Sequence, residues 1–235
     1  MPDARPPVTL LPPHHDPAAP SFSRPDHTDR DATLLREMQA DLLRVVVRQD
    51  LGSGWVRVVD HAALQHPQPL VIVGFRGFRR PDPAPELEAA ITLADTDLVA
   101  RLGRALVAYS CRLLPDDEWI NLVVFRGHAA VQAWHRDPQH QDVSTRLAPR
   151  YYREIRLHGG ILPLGLSGPL TLTHTQYMAF RGPQVWLARR TYPDPAATRA
   201  GVETSTEAQA MVRGMPDRSA PEAVRPERTA PNRTW

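Results

Sequence analysis

The period of the apolar positions changes along the chain, and each change marks an element. Behind Asp31 or Thr33 as a cap, Leu34, Leu35, Met38, Leu42, Val45 and Val46 recur at helical spacing, and Leu51-Gly52-Ser53-Gly54 ends that helix. A short strand over 55–59 follows. Residues 70–78, held between prolines, are almost continuously apolar and predict a buried strand. After the breaks at Pro81 and Pro85, Leu87, Ala90, Ile91, Ala94, Leu98 and Leu102 form a second helical stripe. Residues 104–113 alternate with period two, Pro115-Asp116-Asp117 reads as a turn, and 119–126 returns as the other arm of a hairpin. Ala129, Ala130, Ala133 and Trp134 mark a third helix, interrupted at Asp137-Pro138 and ending by Pro149. A strand over 152–158 is expected to stop at Gly159-Gly160. Residues 170–180 and 184–191 form a last hairpin.

The central order is β-α-β-β-α-β. It predicts an α+β domain of ferredoxin-like type: a four-stranded antiparallel sheet with two helices on one face, extended by a C-terminal β-hairpin and an N-terminal helix. The organisation is then a disordered Pro-rich tail over 1–30, an N-terminal helix and short strand over 31–67, the domain over 68–192, and a disordered Pro/Arg-rich tail over 193–235. A weak helix near 204–213 is the one element expected in that last tail. Both tails lack an apolar period that could offset the entropy of ordering them.

Strand alternation sorts the side chains by face. Ile155 and Leu157 are expected to meet the helices. Tyr152, Glu154, Arg156 and His158 are expected on the opposite face, with Arg76, Ser110, Arg112, Trp119, Asn121, Val123 and Phe125. That face would be uncovered in a monomer, so its aromatic residues predict a homodimer with sheets packed face to face.

Composition narrows the chemistry. All 28 basic residues are arginines, and a chain without lysine has no Schiff-base residue and no Walker phosphate loop. The net charge is only +2, with no basic stripe interleaved with aromatics, so a nucleic-acid partner is not expected. A single cysteine, Cys111, excludes intramolecular disulfides and cysteine-rich zinc modules. No signal pattern and no membrane-length apolar run is evident, which predicts a cytoplasmic protein without a membrane partner. His128, His135 and His140 are seven and five residues apart, against the four that a helical zinc pair requires, so no metal site is expected.

Residues 119–134 (Trp-Ile-Asn-Leu-Val-Val-Phe-Arg-Gly-His-Ala-Ala-Val-Gln-Ala-Trp), then Asp137-Pro-Gln-His140, then Tyr151-Tyr-Arg-Glu-Ile-Arg-Leu-His158, resemble the antibiotic biosynthesis monooxygenase-like branch of the dimeric α+β barrel superfamily. The resemblance covers about residues 68–160. It implies a homodimeric α+β barrel and a small-molecule ligand. Members include cofactor-free monooxygenases, haem-degrading enzymes and proteins without a known reaction. The implied activity is a cofactor-free oxidation of an aromatic or polyketide-like substrate. In it Arg156 and His158 would stabilise and protonate an oxyanion and Asn121 would assist. Trp119, Phe125, Tyr152, His140, Arg76 and Ser110 would line the substrate site. Two rival readings remain: a non-catalytic dimeric binding or sensing module, in which the same residues stabilise an interface, and a haem-binding or haem-degrading protein.

Overall fold

The structure, a computed structural model, describes residues 8–10, 25–44, 49–50, 54–58, 60–115, 118–182 and 184–192. The expected C-terminal tail and its weak helix lie outside these residues. The elements run β1 (Val8–Leu10), α1 (Pro25–Leu42), β2 (Gln49–Asp50), β3 (Gly54–Val58), α2 (His61–Gln65), β4 (Leu70–Arg79), α3 (Pro85–Leu102), β5 (Leu106–Leu113) and β6 (Glu118–Phe125). Then come α4 (His128–Arg136), α5 (Pro138–Asp142), a π turn (Val143–Leu147), α6 (Ala148–Tyr151), β7 (Tyr152–Leu166), β8 (Thr171–Arg181) and β9 (Gln184–Thr191). Among the described residues no helix is long and apolar enough to cross a membrane.

One sheet carries all the strands in the order β1-β9-β8-β7-β4-β6-β5-β3-β2. Six of them, β4 to β9, have eight or more residues, and every pairing among these six is antiparallel. The four strands of the β-α-β-β-α-β unit stand in the order β7-β4-β6-β5. The last strand therefore lies beside the first and the hairpin lies on its other flank, which is compatible with a ferredoxin-like α+β fold.

The helices cover both faces of this sheet, where helices on one face were expected. On one face α3, α4, the π turn and α6 pack Leu87, Ile91, Val131, Trp134, Leu147 and Tyr151 against Val71, Val73, Phe125 and Ile155. On the other, α1 and α2 pack Leu35, Met38, Leu42, Ala63 and Leu64 against Leu70, Ile72, Ile120 and Leu122. Burial from both sides is why β4 reads as an unbroken apolar run rather than an alternation. It also removes the argument for a face-to-face homodimer. Trp119, Val123, Phe125 and Tyr152 lie under the first helical layer, and the opposite face lies under α1.

Several boundaries differ from expectation for local reasons. Helix α1 starts at Pro25, where a proline in the first turn costs no hydrogen bond. Asp31 is therefore inside the helix and is not its cap. Part of the expected N-terminal tail is a strand, since Val8–Leu10 pairs in parallel with Val185–Leu187 of β9. Gly159-Gly160 does not end β7, which continues to Leu166. The two glycines allow close approach instead: the His174 ring lies over Gly159, and a Cβ on Gly160 would stand 2.6 Å from the Thr171 carbonyl oxygen. Gly160→Ala should therefore cost roughly 1–3 kcal/mol in urea unfolding. Gly127→Ala, with no neighbour within 4 Å and an extended φ of 168°, should stay within about 0.5 kcal/mol of wild type. Equal losses at the two positions would refute this account of β7.

Candidate functional site

Two β-bulges rearrange the expected faces. The register between β4 and β7 shifts between Phe78 and Arg79, so Arg79 opposes Tyr152 while Phe78 opposes Glu154. The slip turns Tyr152 to the α3 side, where its ring meets Phe75 edge-on at 5.3 Å. A second shift between Leu106 and Ala108 puts Leu106 with Tyr109 and Cys111 on the α3 side and leaves Val107 in the α1 layer. Cross-strand pairing settles the rest. Asn121 opposes Phe75 and Trp119 opposes Gly77, whereas Arg156 opposes Arg76 and His158 opposes Gly74. The nine residues expected to share one site are therefore divided between opposite faces. Trp119, Asn121, Phe125 and Tyr152 lie toward α3–α6, with His140 in α5 on the same side. Arg76, Ser110, Arg156 and His158 lie toward α1.

On the α3 side Asn121 is buried between β4 and β5. Its Nδ2 donates to the Tyr109 hydroxyl at 2.8 Å, and its Oδ1 has no hydrogen-bond partner. Asn121 lines a cavity of about 30 Å³ whose other walls are Cys111, Trp119 and Tyr152 from the sheet, Ile91 and Thr92 from α3, and Tyr151 from α6. That volume admits one or two water molecules. At its edge the Tyr151 hydroxyl donates to Glu88 at 3.4 Å; burial pushes this phenol's pKa up, against the hydrogen bonds it receives from Trp119 and Arg79. Phe125 lies outside the cavity, wholly buried against Trp134 at 5.3 Å. His140 also stacks on Trp134, at 4.4 Å, in a helix capped by Asp137, whose Oδ1 accepts from the backbone N–H groups of Gln139 and His140. Burial first, and then His135, lower the His140 pKa to about 4. The rings of His135 and His140 stand 5.7 Å apart, and among the described residues no group of three metal-ligating side chains converges.

On the α1 side the polar groups converge on Asp31, while some guanidinium donors stay unpartnered. Asp31, 0 % exposed, receives Arg156 Nη2 at 3.2 Å on Oδ1 and His158 Nε2 at 3.1 Å on Oδ2. Arg156 Nε lies 2.8 Å from Oδ2 and Arg76 Nη1 lies 3.5 Å from Oδ1. Arg76 also binds Glu118, and both guanidiniums lie over the Phe78 ring, with Arg156 at 4.6 Å and Arg76 at 5.6 Å. With His158 donating from Nε2, its Nδ1 accepts from Thr175 Oγ1 at 2.8 Å, and Thr175 in turn accepts from the Tyr192 hydroxyl at 3.0 Å. Asp31, His158 and Thr175 thus follow the order of a hydrolase triad. Thr175 is 0 % exposed and its second hydrogen bond is taken by Tyr192, so no carbonyl substrate reaches it in this arrangement. Ser110 is wholly buried in the same layer, with its Oγ unpartnered.

Reading along the chain missed Asp31, Thr175, Tyr192, Glu118 and Tyr109 as members of these sites. Asp31 alone left a signal. It falls on the same helical stripe as Leu35, Met38 and Leu42, and an acid on a buried stripe requires a partner. No family model, no curated protein and no solved structure matches the chain.

Proposed function

We propose that this chain is a small-molecule-binding α+β protein of the ferredoxin-like kind, and that its ligand lodges between the sheet and the α3–α6 layer at Asn121. The observation that carries this reading is the open Oδ1 of a buried amide on the wall of a cavity. A buried acceptor without a partner costs about 1–3 kcal/mol, which a ligand hydroxyl or N–H recovers on binding. The surrounding Trp119, Tyr152 and Ile91 suit a flat apolar body, and the cavity must enlarge to admit one. Helix α3 is the wall that can yield. Its side chains Thr92 and Thr96 turn back to bond the carbonyls of Glu88 and Thr92, a pattern that bends helices. The π turn before α6 is a further irregularity beside the same layer. The strand order β7-β4-β6-β5 supports the ferredoxin-like assignment. An oxidation at this site would have to draw its proton-handling groups from Tyr109, Tyr151 and Cys111, because Arg156 and His158 belong to the other face.

Phenol and toluene, which differ by one hydroxyl, test the reading directly. Wild type is expected to bind phenol about tenfold more tightly than toluene, read by chemical-shift changes at Trp119 and Asn121. In Asn121→Leu that preference should vanish while toluene affinity is unchanged or improved. Equal affinity for the two probes in wild type, or an unaltered preference in the variant, would remove Asn121 as the anchor.

A further inference from the structure

We propose that Arg76, Arg156 and His158 form a carboxylate-binding cup on the α1 side of the sheet. Its present occupant, Asp31 of α1, exchanges with the carboxylate of a small organic acid. The cup is separate from the Asn121 pocket, with the sheet between them.

The geometry is that of a site built around one carboxylate. Three side chains from two adjacent strands, β4 and β7, converge on the two oxygens of Asp31 at distances from 2.8 to 3.5 Å. All are at least nine-tenths buried: Arg76 is 1 % exposed, Arg156 4 % and His158 0 %. The donors outnumber what Asp31 can accept. Arg156 Nη1 and Arg76 Nη1 have no hydrogen-bond partner, and Arg156 Nε, though 2.8 Å from Oδ2, is out of line for a hydrogen bond. A guanidinium binds a carboxylate best as a fork, through two parallel N–H bonds in one plane. The helix backbone fixes where the Asp31 carboxylate sits and how it is turned, so it supplies the charge without that alignment. A free carboxylate can rotate into the fork and satisfy donors that Asp31 leaves open.

Access requires the start of α1 to move. Several of the contacts that hold the helix down lie beyond Asp31. Leu35, Met38 and Leu42 are buried, Gln39 Nε2 donates to the carbonyls of Leu166 and Gly168, and Asp41 pairs with Arg112. Unwinding the turns up to Asp31 leaves all of these in place. The ligand class follows from the walls. The charge calls for a carboxylate, and the Phe78 ring beneath both guanidiniums calls for a flat or short apolar body attached to it, as in an aryl carboxylate.

Acetate and benzoate serve as probes on the full chain. In Asp31→Ala the cup keeps its donors and gains the space of one carboxylate. Sodium acetate should then raise the melting temperature saturably, while sodium chloride at equal ionic strength should not. Benzoate should bind this variant at least about tenfold more tightly than wild type, and a further Arg156→Leu change should abolish the gain. Acetate and chloride acting alike on a folded Asp31→Ala, or benzoate binding that survives the loss of Arg156, would overturn the proposal. If Asp31→Ala does not fold, hydrogen exchange on wild type decides the matter. Saturating benzoate should speed exchange of the α1 amides from 31 to 34 and leave Leu42 and β4 unchanged. Unaltered exchange at 31–34 would overturn it equally.

Discussion

Asp31→Asn is expected to lower the unfolding free energy by about 3–5 kcal/mol, because it strips the charge from a carboxylate that is surrounded by two buried arginines and a buried histidine. Glu118 contacts Arg76 from the rim and makes no described hydrogen bond or ion pair with Arg156. Against the 5–15 kcal/mol typical of a folded domain, the loss would be a large fraction of the total. Burial is the reason for the size. An exposed ion pair contributes at most about 1 kcal/mol, but an uncompensated buried guanidinium keeps its full desolvation penalty. The same reasoning predicts a sign for coupling. Asp31→Leu combined with Arg156→Met should be less destabilised than the sum of the two single changes, since the pair leaves together and apolar side chains fill the space. Urea unfolding of wild type and these four variants measures both effects. A single-variant loss below about 1 kcal/mol would mean that the network is hydrated and does not anchor α1.

Stability should also fall steeply as pH drops from about 7 toward 4. The pKa of His140 is lowered to about 4 by burial first and then by His135, against the pull of Asp137. That of His174 is likewise lowered to about 4, by burial first and then by Arg189, His158 and His128. In the unfolded chain both titrate near 6.5. Between these values the unfolded state holds protons that the native state does not, so stability rises with pH and is lost as pH falls through the window. Each histidine can contribute up to roughly 3 kcal/mol, less where solvent reaches the partly exposed ring. His140→Phe keeps the stacking on Trp134, and His174→Phe keeps a ring over Gly159. The double variant should therefore flatten the curve between pH 4 and 7 without loss at pH 7.5. A melting-temperature profile with wild-type slope in the double variant would sink this explanation.

Much of the secondary structure was legible because each element carries its own local signal. The helical stripe of Leu35, Met38 and Leu42, the apolar run of β4 and the turn signal between β5 and β6 are properties of neighbouring residues, and they predict elements that the fold contains. So is the β-α-β-β-α-β order, which sufficed for the antiparallel α+β arrangement. The alternation of residues 104–113 holds at Tyr109 and Cys111, which share a face because no bulge intervenes between them.

The candidate site was legible only in its parts. Period-two alternation tells which residues of one strand share a face, but it does not tell which face of the next strand lies beside it. That depends on register, and one slipped residue reverses the assignment. Here Trp119 and Asn121 pair across from Gly77 and Phe75, one step out of phase with Arg76 and Arg156, so the imagined single site became two. The bulge at Phe78–Arg79 moved Tyr152 in the same way. The covering of the second face was equally hidden, since an amphipathic helix announces that it will pack without naming its surface.

By itself, then, the sequence determined most of the longer elements and their order, the absence of lysine and of intramolecular disulfides, and the residue types available to bind a ligand. Tertiary structure alone decided that Asp31 meets Arg156 across 125 residues and His158 across 127, and that the open acceptor of Asn121 faces a different layer. The physical reason is range. Propensity and period act over a few residues, whereas a buried charge or an unpaired amide acquires its meaning from whatever long-range packing sets against it.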